Sequence, residues 1–256
     1  MIELQHVSAG YRDGTILRDV SLSFPPGTVT VLMGPNGCGK TTLLKTALGL
    51  LPKLEGTILY DGADISALSP REIAQKAAYL SQSRNVPRIT VGRMVLHGRF
   101  PYLDYPRHYR KEDYEIVRNC LRQTDSLGLI DRQMGELSGG QRQKVYLAMA
   151  LAQQTRTIFM DEPTTYLDVR HQLEVMETAR ALARQGVAVV LVLHDLSLAL
   201  RTADQAVVLD RGGVALAGSP DEIYSSHILD RVFQVRVCRV AADSGWQYFC
   251  EPGKES

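Results

Sequence analysis

Residues 34–42 read GPNGCGKTT, placing three glycines, a lysine and two threonines between a short apolar run, TVTVLM at 28–33, and a helical stripe of Leu43, Leu44, Ala47, Leu48 and Leu51. A Gly-x4-Gly-Lys-Thr pattern carries meaning in that context, after a strand and before a helix. Its chemistry is phosphate binding. Glycines let backbone N–H groups curl around an oxyanion, and the helix start adds positive potential. Lys40 then reaches the outer phosphate oxygens, and the Thr41 hydroxyl ligates Mg2+. The whole loop, Gly34, Pro35, Asn36, Gly37, Cys38, Gly39, Lys40, Thr41 and Thr42, is assigned to a nucleotide. TIFMDEP at 157–163 supplies two carboxylates. Asp161 ends a buried strand, where its charge is costly without a cation, and the Mg2+ shell provides one. Glu162 would face the attacking water as general base, a role worth ~10²–10⁴ in rate. His194 ends the next apolar run, VAVVLVL at 187–193; if that strand lies beside TIFM, His194 falls near the terminal phosphate as a hydrogen-bonding sensor. Cys38 fills a position that needs a small side chain. A helix start lowers a thiol pKa, so alkylation there is expected to block nucleotide binding.

LSGGQ at 137–141 is a second helix start, followed by Val145, Ala148, Met149 and Ala152 at helical spacing. Its free N–H groups make another anion cradle. One chain with two cradles poses a question that these residues do not answer.

The elements around these stretches set a fold class. Residues 2–24 alternate weakly around RDG at 12–14, an antiparallel hairpin. The runs 28–33, 157–160 and 187–193 read as strands buried on both faces, with a helix at about 169–185 between the last two; strand, helix, strand means parallel pairing. The segment 85–135 lacks such runs and carries a helix near 111–124, with Tyr114, Val117 and Leu121 as its apolar side. AVVLDRGGVALAG at 206–218 reads as a hairpin, and the tail from 235 as another. Gln82, in YLSQS, follows a short strand; spacing alone makes it a surface amide.

The 256 residues are 45% apolar and 22% charged with a net charge of +1, which argues against nucleic acid or anionic lipid as a whole-surface partner. Four scattered cysteines, without a CxxC pair, favour a reducing compartment over a zinc site or a disulfide framework. No apolar run is long enough to span a membrane, and the start MIELQHVSAG has no signal-peptide pattern.

Taken in order, these pieces resemble the ATP-binding subunits of ABC transporters: Walker A at 34–41, a Q-loop glutamine at Gln82, the signature Leu137, Ser138, Gly139, Gly140 and Gln141, Walker B ending at Asp161 and Glu162, TYLD with Asp168 as the D-loop, and His194 as switch histidine. The resemblance implies an α/β P-loop NTPase core with a mostly parallel sheet, an N-terminal antiparallel β part and an inserted helical subdomain. On this division about 1–84 and 150–235 form the core, about 85–149 the helical part and 236–256 a tail. It also implies an ATPase with ATP as substrate and Mg2+ as cofactor, held by Thr41, Gln82 and Asp161, with Tyr11 stacked on adenine and Glu162, His194 and Gln82 serving hydrolysis. Two copies would close head to tail, each ATP lying between one copy's Walker A and the other's signature, with Asp168 coupling the sites. VLHGRFPYL at 95–103, VLHDLSLALRTADQAVVL at 192–209 and VFQV at 232–235 are further similar to importers of iron-siderophores, haem and cobalamin. There a permease dimer in the membrane is fed by a periplasmic binding protein, and the ATPase sits at the cytoplasmic face of the inner membrane. The segment 84–106, with Phe100, Pro101, Tyr102 and Tyr105, would be the permease dock, and RHYRK at 107–111 a solvated face. A soluble ABC scaffold for iron–sulfur cluster assembly stands as the alternative; an ATP-gated switch on nucleic acid fits poorly.

Overall fold

Strands Ile2–Tyr11 (β1) and Gly14–Phe24 (β2) pair antiparallel, from Ile2 opposite Phe24 to Tyr11 opposite Gly14. Ile2, Leu4, Val7 and Ala9 on one and Leu17, Val20, Leu22 and Phe24 on the other are buried, the alternation of a sheet with one face on a core. The structure, a computed structural model, describes residues 1–12, 14–82, 86–165, 167–243 and 245–253. Asp13 of the expected RDG turn, Ser83 of YLSQS, the first two residues of the segment 84–106, Tyr166 of TYLD and the last three residues of the tail lie outside the described residues.

After β2 come Val29–Met33 (β3), Lys40–Ala47 (α1), Lys53–Tyr60 (β4), Ala63–Asp64 (β5), Pro70–Lys76 (α2) and Ala77–Leu80 (β6). Next are Val91–Leu96 (α3), Lys111–Gln123 (α4) and Gly139–Ala152 (α5), then Thr157–Asp161 (β7), Val169–Arg184 (α6), Ala188–Val192 (β8) and Leu196–Thr202 (α7). The chain continues through Gln205–Asp210 (β9), Gly213–Gly218 (β10), Pro220–Ser225 (α8), Ile228–Phe233 (α9), Val235–Ala242 (β11) and Gly245–Pro252 (β12). Among the described residues no helix is long and apolar enough to cross a membrane.

Among the described residues three sheets result. β4 adds to the antiparallel pair, in the order β2-β1-β4-β5. The main sheet has the order β10-β9-β3-β8-β7-β6, parallel except for the β9–β10 hairpin. β11 and β12 form the tail hairpin, where Ser197 Oγ of α7 donates to the Tyr248 carbonyl. Every residue of β3, β7 and β8 is buried, as expected of parallel strands covered on both faces. Leu32, Phe159, Val190, Val192 and Val207 face a core shared with α1 and the antiparallel sheet. Val31, Ile158, Met160, Val189 and Leu191 face the opposite core, which continues into α5 and α6. The main sheet is thus the wall that separates the two cores.

The segment around α3 and α4 departs from expectation in one respect. The buried side of α4 is Asp113, Val117, Cys120 and Leu121, whereas Tyr114 is exposed and meets the Tyr109 ring edge-on at 6.4 Å between centroids. Position 113, one residue earlier on the helix, takes the inward place because a buried cation waits for it. Arg99, in the 3-10 turn His97–Tyr102, donates from Nε to Asp113 Oδ1 at 2.8 Å. Its Nη1 donates to the Ala152 carbonyl at 2.9 Å and to Gln154 Oε1 at 3.0 Å. Gly98 beside it approaches α5 so closely that a Cβ would stand 2.2 Å from the Met149 carbonyl oxygen. Gly98 and Arg99 therefore fasten this turn to the C-terminal end of α5.

Burial works against the Asp113 charge, but the hydrogen bonds from Arg99 and the Arg110 N–H hold its carboxyl below the usual range. Arg99→Met should strand that carboxylate and cost about 3–5 kcal/mol in urea unfolding. Because the folded-state pKa is lowered, the pair's contribution is complete above the unfolded pKa of about 4 and is lost as pH falls through the folded value. The wild-type advantage should therefore shrink in acid; an advantage that grows in acid would contradict the pairing.

Candidate active site

The loop between β3 and α1 turns on Gly39, which caps α1 at φ 108°, in the left-handed region that glycine adopts without strain. Gly39 offers no side chain to cap the helix, so the first N–H groups of α1 remain for an external anion. Lys40, 7% exposed, folds back and donates from Nζ to the Gly34 carbonyl at 2.7 Å and to the Pro35 carbonyl at 3.0 Å. The ammonium thus lies inside the loop that its phosphate partner would enter. Tyr11, at the end of β1, is 47% exposed.

β7 delivers Asp161 to the same place. The Thr41 hydroxyl donates to Asp161 Oδ2 at 2.9 Å, and the Tyr79 hydroxyl donates to that oxygen at 3.1 Å. Asp161 is 1% exposed, and its other oxygen, Oδ1, is buried without a hydrogen-bond partner among the described residues. Burial, assisted by the adjacent Glu162 charge, raises the Asp161 carboxyl above the usual carboxylate range despite those two hydrogen bonds. A buried anionic oxygen with no donor is costly unless a cation meets it. Hydroxyl and carboxylate oxygens are hard donors that suit Mg2+. Among the described residues no three His, Cys, Asp or Glu side chains gather as a metal-holding group. A cation here would take most of its shell from phosphate oxygens and water, as Mg2+ does in nucleotide sites. The residues fit that ion.

Glu162 follows with φ 50°, a backbone conformation unusual for a residue with a side chain. The turn swings its carboxylate, 14% exposed, toward three donors. Gln82 Nε2 donates to Oε2 at 2.5 Å, Thr165 Oγ1 donates to Oε2 at 3.1 Å, and His194 Nε2 lies 2.5 Å from Oε1. Gln82 comes from the segment after β6 and His194 from the end of β8, which pairs in parallel with β7. The three residues expected to serve hydrolysis thus meet on one carboxylate. Gln82 turns its amide nitrogen to Glu162, whereas the sequence reading placed it among the oxygens around the metal.

Leu137 is buried and anchors the second cradle, while Ser138 and Gly139 are exposed. The Gln141 N–H donates to Ser138 Oγ at 3.3 Å, and the Ser138 N–H donates to Gln141 Oε1 at 3.0 Å. This reciprocal cap uses the serine oxygen as acceptor and leaves its proton for an acceptor outside. A Cβ on Gly139 would meet nothing within 4 Å, and one on Gly140 would come nearest the His171 ring, at 3.5 Å. Asp168 caps α6, accepting from the His171 N–H at 2.9 Å and lying 2.7 Å from His171 Nδ1. Those contacts, the backbone one foremost, hold its carboxyl below the usual range.

One expectation is corrected. Cys38 is buried, and burial raises its thiol pKa, outweighing the lowering by Lys40. The helix start does not activate it, because desolvation of the thiolate is the larger effect. Sequence reasoning also passed over Tyr79 and Thr165. Thr165 opens TYLD and reaches Glu162 across three residues of one turn, whereas Tyr79, the first residue of YLSQS, reaches Asp161 only through the pairing of β6 with β7.

Comparison with known proteins places this geometry in a family. A model described as ABC transporter matches residues 17–165. An achromobactin transport ATP-binding protein of Dickeya dadantii is 41% identical over 94% of this chain and 90% of its own length. A hemin import ATP-binding protein of Rhodococcus jostii is 42% identical over 85% of this chain and 74% of its own. The fold superposes on a solved structure of a metal-chelate type ABC transporter in an inward-facing conformation with TM-score 0.84 and 23% identity, covering 97% of this chain and 96% of that one. With the loop at 34–42, the Asp161–Glu162 pair and the capped helix at 138 inside that match, the chain belongs to the ABC transporter family.

Proposed function

We propose that the chain is the ATP-hydrolysing subunit of an importer for a metal chelate, of the iron-siderophore or haem kind, working as a pair beneath a membrane permease that a binding protein supplies. The likeness to the achromobactin and hemin proteins supports the cargo class. The single observation that carries the mechanism is the state of Ser138: capped on one side by Gln141, exposed, and donating its hydroxyl proton to none of the described residues. The scaffold alternative gains no observation of its own. We take the division into core, helical part and tail given above as the working one, with the chain peripheral at the inner face of the membrane.

On this reading Lys40 leaves the Gly34 and Pro35 carbonyls for the phosphates, and the N–H groups of α1 hold the remaining oxygens. Thr41 and Asp161 hold Mg2+, which would draw negative charge from the phosphate oxygens. Glu162 takes a proton from the attacking water, and His194 and Gln82 orient that exchange. Ser138, Gly139 and Gly140 serve the nucleotide of the second copy, and Asp168 sits between the two sites. A hydrogen bond to a charged group contributes about 1.5–3 kcal/mol, and a helix start about 0.3–1 kcal/mol. Several such contacts to one terminal phosphate exceed the ~5.5 kcal/mol that swings a population from 1:99 to 99:1. Hydrolysis removes them, and the pair opens. The exposed Phe100 and Tyr105 suit contact with the permease, whereas Tyr102 is committed by its hydroxyl to the Gln153 carbonyl at 2.7 Å.

Two substitutions separate the parts. Glu162→Gln should keep ATP binding, lower hydrolysis at least about 10²-fold and accumulate an ATP-bound pair in light scattering; normal turnover would remove the general-base role. Ser138→Arg should spare ATP binding by one copy while abolishing turnover, and a loss of that binding would mean that the second cradle acts on its own chain. For Cys38, carboxymethylation by iodoacetate should be slow at neutral pH and speed up as pH rises above the ordinary thiol value of about 8.5. Mapping of the labelled peptide reports this, and rapid labelling at pH 7 would contradict the raised pKa.

A further inference from the structure

Tyr79 stands third in the edge strand β6, opposite Phe159 of β7, with Leu80 opposite Met160. Paired residues of neighbouring strands share a face, and so do residues two apart along one strand. Tyr79, Phe159 and Asp161 therefore point to the face that α1 covers. The Tyr79 ring is half-buried against the core beneath α1, and its hydroxyl ends on Asp161 Oδ2, where Thr41 also donates. The carboxylate is used unevenly: two donors converge on Oδ2, and buried Oδ1 has none.

We propose that Tyr79 is a positioning residue for the divalent cation: together with Thr41 it pins Asp161 Oδ2, so that Oδ1 is the oxygen turned to the metal. This rests on the Mg2+ reading given above. A carboxylate held by one donor pivots about that bond, and a second donor from a different strand fixes its plane. Thr41 supplies only one of the two constraints, a single hydrogen bond to Oδ2 whose donor oxygen would also face the cation. Partners that orient a metal-bound group typically change metal affinity about 10–100-fold when removed.

The test uses the full chain, a non-hydrolysable ATP analogue, and Mn2+ as probe, with free Mn2+ read by its electron paramagnetic resonance signal. Tyr79→Phe keeps the ring against the core and removes only the hydroxyl. It should bind the analogue without metal as the wild type does, yet hold Mn2+ about tenfold more weakly. Half-saturating Mg2+ for ATP hydrolysis should rise by the same factor, with added Mg2+ rescuing the rate. In an Asp161→Asn background, Tyr79→Phe should have no further effect on Mn2+. Wild-type Mn2+ affinity in Tyr79→Phe would overturn the proposal while leaving the metal site intact. Wild-type Mn2+ affinity in Asp161→Asn would overturn the metal reading itself, and the positioning role with it.

Discussion

A carboxylate that is 1% exposed, at the carboxyl end of a strand buried on both faces, is the constraint on which the rest of this molecule turns. Burial of Asp161 is unfavourable for its charge, and the surroundings answer only one of its oxygens. The architecture follows from that demand. A parallel strand flanked by β6 and β8 carries the aspartate to the sheet edge where α1 begins. α1 brings Thr41 because its stripe of Leu43, Leu44 and Ala47 is buried against the same face that holds Phe159. Packing of apolar side chains thus decides the position of a polar contact.

Beside it, Glu162 shows how strain and hydrogen bonding divide the work. A side-chain-bearing residue at φ 50° costs about 1–3 kcal/mol. Three partners on its carboxylate, from Gln82, Thr165 and His194, each contribute about 1.5–3 kcal/mol, enough to hold the unusual turn. In this geometry the Glu162 carboxylate is held from three sides. Lys40 is likewise held, by the carbonyls of its own loop.

The helical part is tied in by different means. Arg99 reaches Asp113 of α4 and the end of α5 from a turn whose next residue, Phe100, is exposed. The turn that carries Phe100 is thus hydrogen-bonded to one end of α5, and Ser138 caps the other.

How far the sequence alone reached can be stated residue by residue. It determined the local chemistry: a Gly-Lys-Thr loop between strand and helix, two carboxylates ending an apolar run, a Ser-Gly-Gly helix start, and parallel strands legible as unbroken apolar stretches. Those features depend on neighbours within a few residues, so spacing records them. Its misreadings fell where distant groups compete: Tyr114 fits the helical stripe of α4, but Arg99 draws Asp113 inward instead; Cys38 sits at a helix start, but burial outweighs the dipole. Tertiary structure alone decided that β4 joins β1, that Gln82 and His194 meet on Glu162, and that Tyr79 reaches Asp161. Each of these contacts joins strands, turns or helices whose relative register is set by core packing, and no short pattern in a chain encodes a register between segments 80 residues apart.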